Sequence, residues 1–291
     1  MKRKIAIIGL GEIGKKHLSE LRRSDYFELV AICDKNEAEE FGRFEFFTDI
    51  DVMFNTLKPE AVVIATPPKT HKEIILKCMK YIKNIFVESP LADNLDQARE
   101  IRYAASTNAL KIAVGYRDRF NPTVISLVRE FAKEEKIYSM NIIRACKSYD
   151  ELDLVDDILI KDLDLVRFLT KSEVSSFDMK KICFGNKKNL SIAHSNLKTK
   201  NDILVNISSN AFYPQNRNFI EICATSGIYL ADLVAFTLHK VTESGRINLK
   251  VDSEDFSIRY EHKNFANVCN DEDFGELASV EDAVKLREIL K

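Results

Sequence analysis

What the chain lacks narrows it first. No stretch approaches the roughly 20 apolar residues that a membrane-spanning helix needs. The run Ile5-Ala6-Ile7-Ile8 behind the basic start Met1-Lys2-Arg3-Lys4 meets Gly9, Glu12 and Lys15 too soon for a secretory leader. A cytoplasmic protein without membrane contact is expected. Neither sign of charge dominates, with 43 lysines and arginines against 45 aspartates and glutamates, so nothing calls for nucleic acid. The six cysteines are never closer than 37 residues, which excludes CxxC and metal-knuckle spacing and suits reduced thiols. His194, His239 and His262 show no ligand spacing, and no metal is expected. There is no internal repeat and no low-complexity linker. Glycine is scarce, nine in 291 residues, so where it clusters carries information.

A chain of 291 residues suggests two domains. Up to about residue 118, short β-branched runs alternate with segments of helical period. The runs are Lys4 to Leu10, Glu28 to Asp34, Ala61 to Ala65, Asn84 to Glu88 and Lys111 to Tyr116. Runs apolar on both sides belong to a parallel sheet covered on both faces, which predicts a doubly wound α/β domain over residues 1–118. Asn121-Pro122, a cap followed by proline at the first helical position, opens an amphipathic stretch to about Lys133 and marks the crossing to a second domain, 119–291. There Lys136 to Ala145 alternates, Asp156 to Thr170 reads as a helix, and Glu173 to Glu261 is mostly strand-like with turns at Gly185-Asn186, Ser226-Gly227 and Ser244-Gly245. A mainly antiparallel open sheet follows, with a closing helix from Ser279 to Leu290.

Three of the nine glycines, Gly9, Gly11 and Gly14, stand directly behind the first apolar run. In a GxGxxG turn the first glycine permits the tight turn, the second lets a pyrophosphate approach the backbone, and the third lets the next helix pack close. The helix start, with Glu12 and Ile13, offers free N–H groups to the anion. Asp34 ends the second run twenty residues after Gly14, where a carboxylate accepts hydrogen bonds from a ribose. Its charge repels a 2′-phosphate, so NAD is expected over NADP. The turn also serves FAD, but no later flavin signature accompanies it.

Further motifs extend the pattern: Ala65-Thr66-Pro67-Pro68-Lys69-Thr70-His71, Val87-Glu88-Ser89-Pro90-Leu91, Val114 to Pro122 through Tyr116 and Arg119, Asp157 to Asp164, and Asn218 to Asp232 around Gly227. Together they resemble the glucose-fructose oxidoreductase / inositol dehydrogenase family (Gfo/Idh/MocA) almost end to end. The resemblance implies a Rossmann domain followed by an α/β domain whose open sheet forms a homodimer or homotetramer. It implies a carbohydrate-like small-molecule substrate, hydride transfer at a carbonyl or alcohol in the interdomain cleft, and dinucleotide contacts from Thr66, Pro67, His71, Glu88 and Ser89.

Two family positions depart from the pattern. The lysine usual after the fifth-strand glutamate is Ser89, and the histidine usual four residues after the helix aspartate is Lys161. On an α-helix Asp157, Lys161, Asp164 and Phe168 share one face at i, i+4, i+7 and i+11. Lys161 between carboxylates favours the ammonium, which suits donating a proton to a developing alkoxide rather than removing one. Reduction is therefore the expected direction, with Lys161 and Asp157 as the catalytic pair and Tyr116, Arg119 and Asp164 facing substrate. Two plainer readings stay open: Lys161 and Asp157 form a solvated ion pair, and Arg119 pairs with an acidic neighbour. The rival function is a dinucleotide-binding sensor without turnover.

Overall fold

The computed structural model describes residues 2–36, 44–132, 136–147, 153–184 and 191–291. The chain separates into two units, residues 1–117 with 258–291, and residues 118–257. Among the described residues no helix is long and apolar enough to cross a membrane.

The first unit begins β1 (Arg3–Ile8), α1 (Glu12–Leu21), β2 (Phe27–Cys33), β3 (Glu45–Phe47), α2 (Ile50–Leu57), β4 (Ala61–Ile64), α3 (Pro68–Cys78), β5 (Asn84–Glu88), α4 (Leu95–Asn108) and β6 (Lys111–Gly115). β4 is buried at every position, and so are the central residues of β1, β5 and β6. Burial on both faces is what their unbroken Val, Ile and Ala runs require, at roughly 1.5–3 kcal/mol for each large apolar side chain removed from water.

The second unit holds α5 (Pro122–Phe131), β7 (Ile137–Lys147), α6 (Ile160–Thr170), β8 (Val174–Cys183), β9 (Ser191–Thr199), β10 (Leu204–Asn210), β11 (Phe212–Ala224), β12 (Gly227–Asp232), β13 (Thr237–Thr242) and β14 (Gly245–Leu249). α5 starts as its sequence requires: the Asn121 side chain accepts from Thr123 N–H at 2.9 Å, and Pro122 takes the first turn. The eight strands run in the order β14-β13-β12-β11-β7-β10-β9-β8. Every neighbouring pair is antiparallel except β7 with β10 at the centre, which is parallel. β9 shows the one-sided pattern most plainly, buried and exposed residues alternating from Ala193 to Thr199. The turn expected at Gly185-Asn186 lies outside the described residues.

The chain then returns to the first unit through α7 (Ser257–Cys269), β15 (Ala278–Ser279) and α8 (Val280–Ile289). β15 pairs antiparallel with β6, completing the order β15-β6-β5-β4-β1-β2-β3, and α8 packs on α4. The second domain expected over 119–291 is thus corrected at its end, because residues 258–291 bury their apolar face on the first sheet. Strand character also stops at Leu249, and Ser257 to Glu261 opens a helix. Ser279 caps α8 in a reciprocal box with Asp282.

Candidate functional site

Gly9 adopts φ +96°, and a Cβ there would meet the Ala65 carbonyl oxygen and the Thr66 methyl, both at 2.7 Å. Only glycine satisfies both the turn and the approach of the segment behind β4. A Cβ on Gly14 would stand 2.1 Å from the Gly9 carbonyl oxygen, so this glycine sets how closely α1 packs on β1. Gly11 is the opposite case, with nothing within 4 Å of the space its Cβ would fill. That open space lies at the N-terminus of α1, where Gly11 is the cap residue and no side chain caps the helix. Backbone N–H groups there are available to an anion. Glu12 pairs with Lys16 at 3.0 Å on the exposed side, and Ile13 is half-buried.

Asp34 is locked to this loop. Its Oδ2 accepts from Leu10 N–H at 2.7 Å and its Oδ1 from Asn36 N–H at 2.9 Å. Both oxygens keep lone pairs for a ribose diol. The residues present therefore fit a dinucleotide: an open glycine, a helix start without a side-chain cap, and a fixed carboxylate at the end of the next strand.

The loops behind β4 and β5 are joined by His71, which is fully buried. Its Nε2 lies 2.7 Å from the Thr66 carbonyl oxygen and its Nδ1 3.0 Å from that of Pro90. Burial holds its pKa below the ordinary histidine value, against the pull of both carbonyls. His71 is thus a strut between loops, which positions Thr66 and Pro67 rather than presenting its own ring. Thr70 Oγ1 adds bonds at 2.8 Å to Thr66 Oγ1 and to the Pro67 carbonyl. The Ser89–Pro90 peptide is cis, and Ser89 is half-buried at its start. Glu88 Oε1 lies 2.7 Å from His17 Nε2. Gly115 makes room for this carboxylate, because a Cβ there would meet the Phe86 ring at 2.8 Å and Glu88 Oε1 at 3.2 Å.

In the second unit the face expected along 157–168 does not form as a single stripe. Leu154–Leu159 is a π-helical turn and the α-helix starts only at Ile160, so counting in fours across Asp157 to Lys161 fails. The turn is secured by Leu154 and Ile158, buried against Ala193 and Ala211. Asp153 caps it, accepting from the Val155 and Asp156 N–H groups, and Asp157 Oδ2 accepts in return from Asp153 N–H at 2.8 Å. Asp164 is taken by Arg119 in a fork of 2.8 and 2.6 Å, with the Arg119 guanidinium 5.1 Å from the centre of the Phe168 ring. Of the two readings of Arg119, pairing with an acidic neighbour is the one realised. Among the described residues Lys161, half-buried, has no hydrogen-bond or ion-pair partner, so the expected pair with Asp157 is absent. Tyr116 is 2% exposed.

Sequence reasoning missed the group beneath Lys161. Asp162, fully buried, accepts from Arg144 Nε at 2.7 Å, and Arg144 Nη2 donates to Asp118 at 2.5 Å. Burial pushes Asp162 up to about 6, even against Arg144. The available signal was Arg144 itself, a cation in the alternating run of β7.

A parallel sheet with a glycine turn opening α1 and a carboxylate closing β2 defines a dinucleotide-binding α/β protein. Residues 3–116 match the model of the oxidoreductase family with an NAD-binding Rossmann fold, Gfo/Idh/MocA. It is 28% identical over 194 residues to an inositol 2-dehydrogenase of Mycolicibacterium smegmatis, covering 60% of this chain and 54% of that protein. It is 32% identical over 126 residues to a 4-carboxy-2-hydroxymuconate-6-semialdehyde dehydrogenase of Sphingobium sp., covering 41% of this chain and 40% of the relative. The matches thus span about half or less of these curated relatives. In fold the chain resembles a UDP-N-acetylglucosamine 3-dehydrogenase from Acidithiobacillus ferrooxidans, with a TM-score of 0.88 over 99% of this chain and 95% of that one at 19% identity.

Proposed function

We propose that this chain is an NAD-dependent oxidoreductase acting on a carbonyl or hydroxyl of a sugar, sugar nucleotide or related polyol, with reduction the favoured direction. The observation that carries the reading is the loop from Gly9 to Gly14 joined to Asp34 through Leu10 N–H. The nicotinamide group, when bound, supplies the hydride. Asp34 presents two oriented oxygens to the adenosine ribose and repels a 2′-phosphate, which favours NAD. Thr66 and Pro67, held by His71, line the dinucleotide side of the sheet. Lys161 supplies the proton that turns the alkoxide into the alcohol, and this role rests on its ammonium alone, because Asp157 and Asp164 are taken by Asp153 N–H and Arg119. The substrate class follows the relatives, two of which are named for inositol and UDP-N-acetylglucosamine.

Keto sugars, keto-inositols and keto forms of nucleotide sugars, followed by nicotinamide absorbance in both directions, test the reading. Asp34→Ala is expected to weaken NADH and narrow its preference over NADPH in calorimetric titration; an unchanged preference removes Asp34 from cofactor choice. Lys161→Met is expected to lower reduction by about 10²–10⁴ while NADH affinity stays unchanged. Retained turnover removes Lys161 from the chemistry.

A second reading, dinucleotide binding without turnover, is favoured by the same helix. The Asp157 carboxylate is held by its own turn and Asp164 by Arg119, and Ser89 stands at the family's lysine position. NADH binding with no turnover across the screen selects it.

A further inference from the structure

The first unit buries a second cluster of titratable side chains, brought together from elements far apart in sequence. His17 lies on the inner side of α1, Glu88 ends β5, and Glu261 and His262 stand on the inward face of α7. His17 and Glu261 are 0% exposed and His262 2%, and solvent reaches the Glu88 side chain at only 13%. His17 Nε2 is 2.7 Å from Glu88 Oε1, and His17 Nδ1 is 2.8 Å from His262 Nε2. One ligand-capable atom from each of His17, Glu88 and Glu261 lies within 4.8 Å of the other two.

We propose that His17, Glu88 and Glu261 form a binding site for a divalent cation, with zinc the best match. Two carboxyl groups brought this close beneath the Phe86 ring, which packs edge-on against His17, cannot both ionise cheaply, and a cation between them lets both carry their charge. One imidazole nitrogen and two carboxylate oxygens are donors that zinc accepts. The absence of thiolate from the set argues against Cu(I) or an iron–sulfur cluster. Zinc bonds of about 2.0–2.2 Å put tetrahedral donors about 3.4 Å apart, a spacing reached when the Glu88 carboxylate backs away from its present contact. His262 behind His17 provides the outer bond that fixes which ring nitrogen faces the metal. Glu88 gives the way in, since it is the member open to solvent and stands where parallel α/β sheets open at the carboxyl ends of their strands. The ligands come from positions 17, 88 and 261, which is why no local spacing announced them.

This assignment is independent of whether the chain turns over a substrate. The test uses the full chain, stripped with chelator and titrated with Zn²⁺ against a chromophoric competitor. One zinc per chain is expected, with a raised thermal midpoint. Glu261→Gln should abolish both the binding and the midpoint rise, and His262→Phe should weaken binding roughly 10–100-fold. No zinc bound by the folded wild-type chain, or equal binding by Glu261→Gln, overturns the site; the latter moves the ion to a surface group such as Cys183 or His194. Should Glu261→Gln fail to fold, the Co²⁺-loaded wild-type chain decides. Visible d–d bands without a thiolate charge-transfer band are expected, and a thiolate band or no bound Co²⁺ overturns the site.

Discussion

The glycine loop at 9–14 and the acidic segment at 153–170 are both conspicuous in the sequence, yet they are built on opposite terms. In the loop the backbone does the work: a positive φ at Gly9, a 2.1 Å conflict that keeps Gly14 bare, and open space beside Gly11. In the acidic segment four of the carboxylates are committed to particular partners. Asp153 and Asp157 close a π turn, Asp162 holds Arg144, and Asp164 holds Arg119. The first arrangement leaves its polar groups to a ligand. The second spends most of its charges on structure and leaves Lys161 as its unpaired cation among the described residues.

The comparison breaks most visibly at the glycines. Gly14→Ala forces α1 away from β1 and is expected to destabilise the chain by more than about 3 kcal/mol in urea, with NADH binding lost. Gly11→Ala meets no protein atom, so stability should stay within about 0.5 kcal/mol while NADH binding falls. Equal effects of the two substitutions would show that the open space at Gly11 does not receive the diphosphate.

Asp164→Asn probes the other side. Arg119 is 7% exposed and Asp164 1%, so cutting the fork leaves a buried guanidinium short of its counter-charge. A loss of about 3–5 kcal/mol in unfolding free energy is expected. A loss below about 1 kcal/mol would return Asp164 to the substrate-facing role that the sequence suggested.

How far each region was legible follows from the same contrast. The Rossmann strands and the glycine turn were readable because unbroken apolar runs and residues permitting positive φ are local properties. α7 was hidden because Glu261 and His262 occupy inward positions between Ile258 and Phe265, where a helical pattern calls for apolar side chains. Those two polar residues belong to the buried cluster with His17 and Glu88. The return of 258–291 to the first sheet and the parallel pairing of β7 with β10 are long-range choices that no window of sequence contains. Stepping by fours from Asp157 to Lys161 failed at one turn, since a π turn obeys the same composition as an α turn and differs only in which carbonyl each N–H finds.

The smallest effect is also the most specific to the side-chain-built region. Burial raises Asp162 from 3.8 to about 6, so the folded chain holds this proton more tightly than the unfolded one does. Between those values the folded state binds more protons, and stability contributed by this group falls as pH rises from about 4 to about 6. At 1.36 kcal/mol per pH unit the deficit reaches about 3 kcal/mol and persists above that range. Asp162→Asn removes the titration and leaves Arg144 its bond to Asp118, so its stability relative to wild type should improve from pH 4 to about pH 6 and then level off in urea unfolding. The change in that difference with pH carries the test, since the loss of one Arg144 contact shifts it by a constant. A difference independent of pH would mean that Arg144 compensates the buried carboxylate fully, and the contrast with the ligand-ready loop would then rest on Arg119 and Asp164 alone.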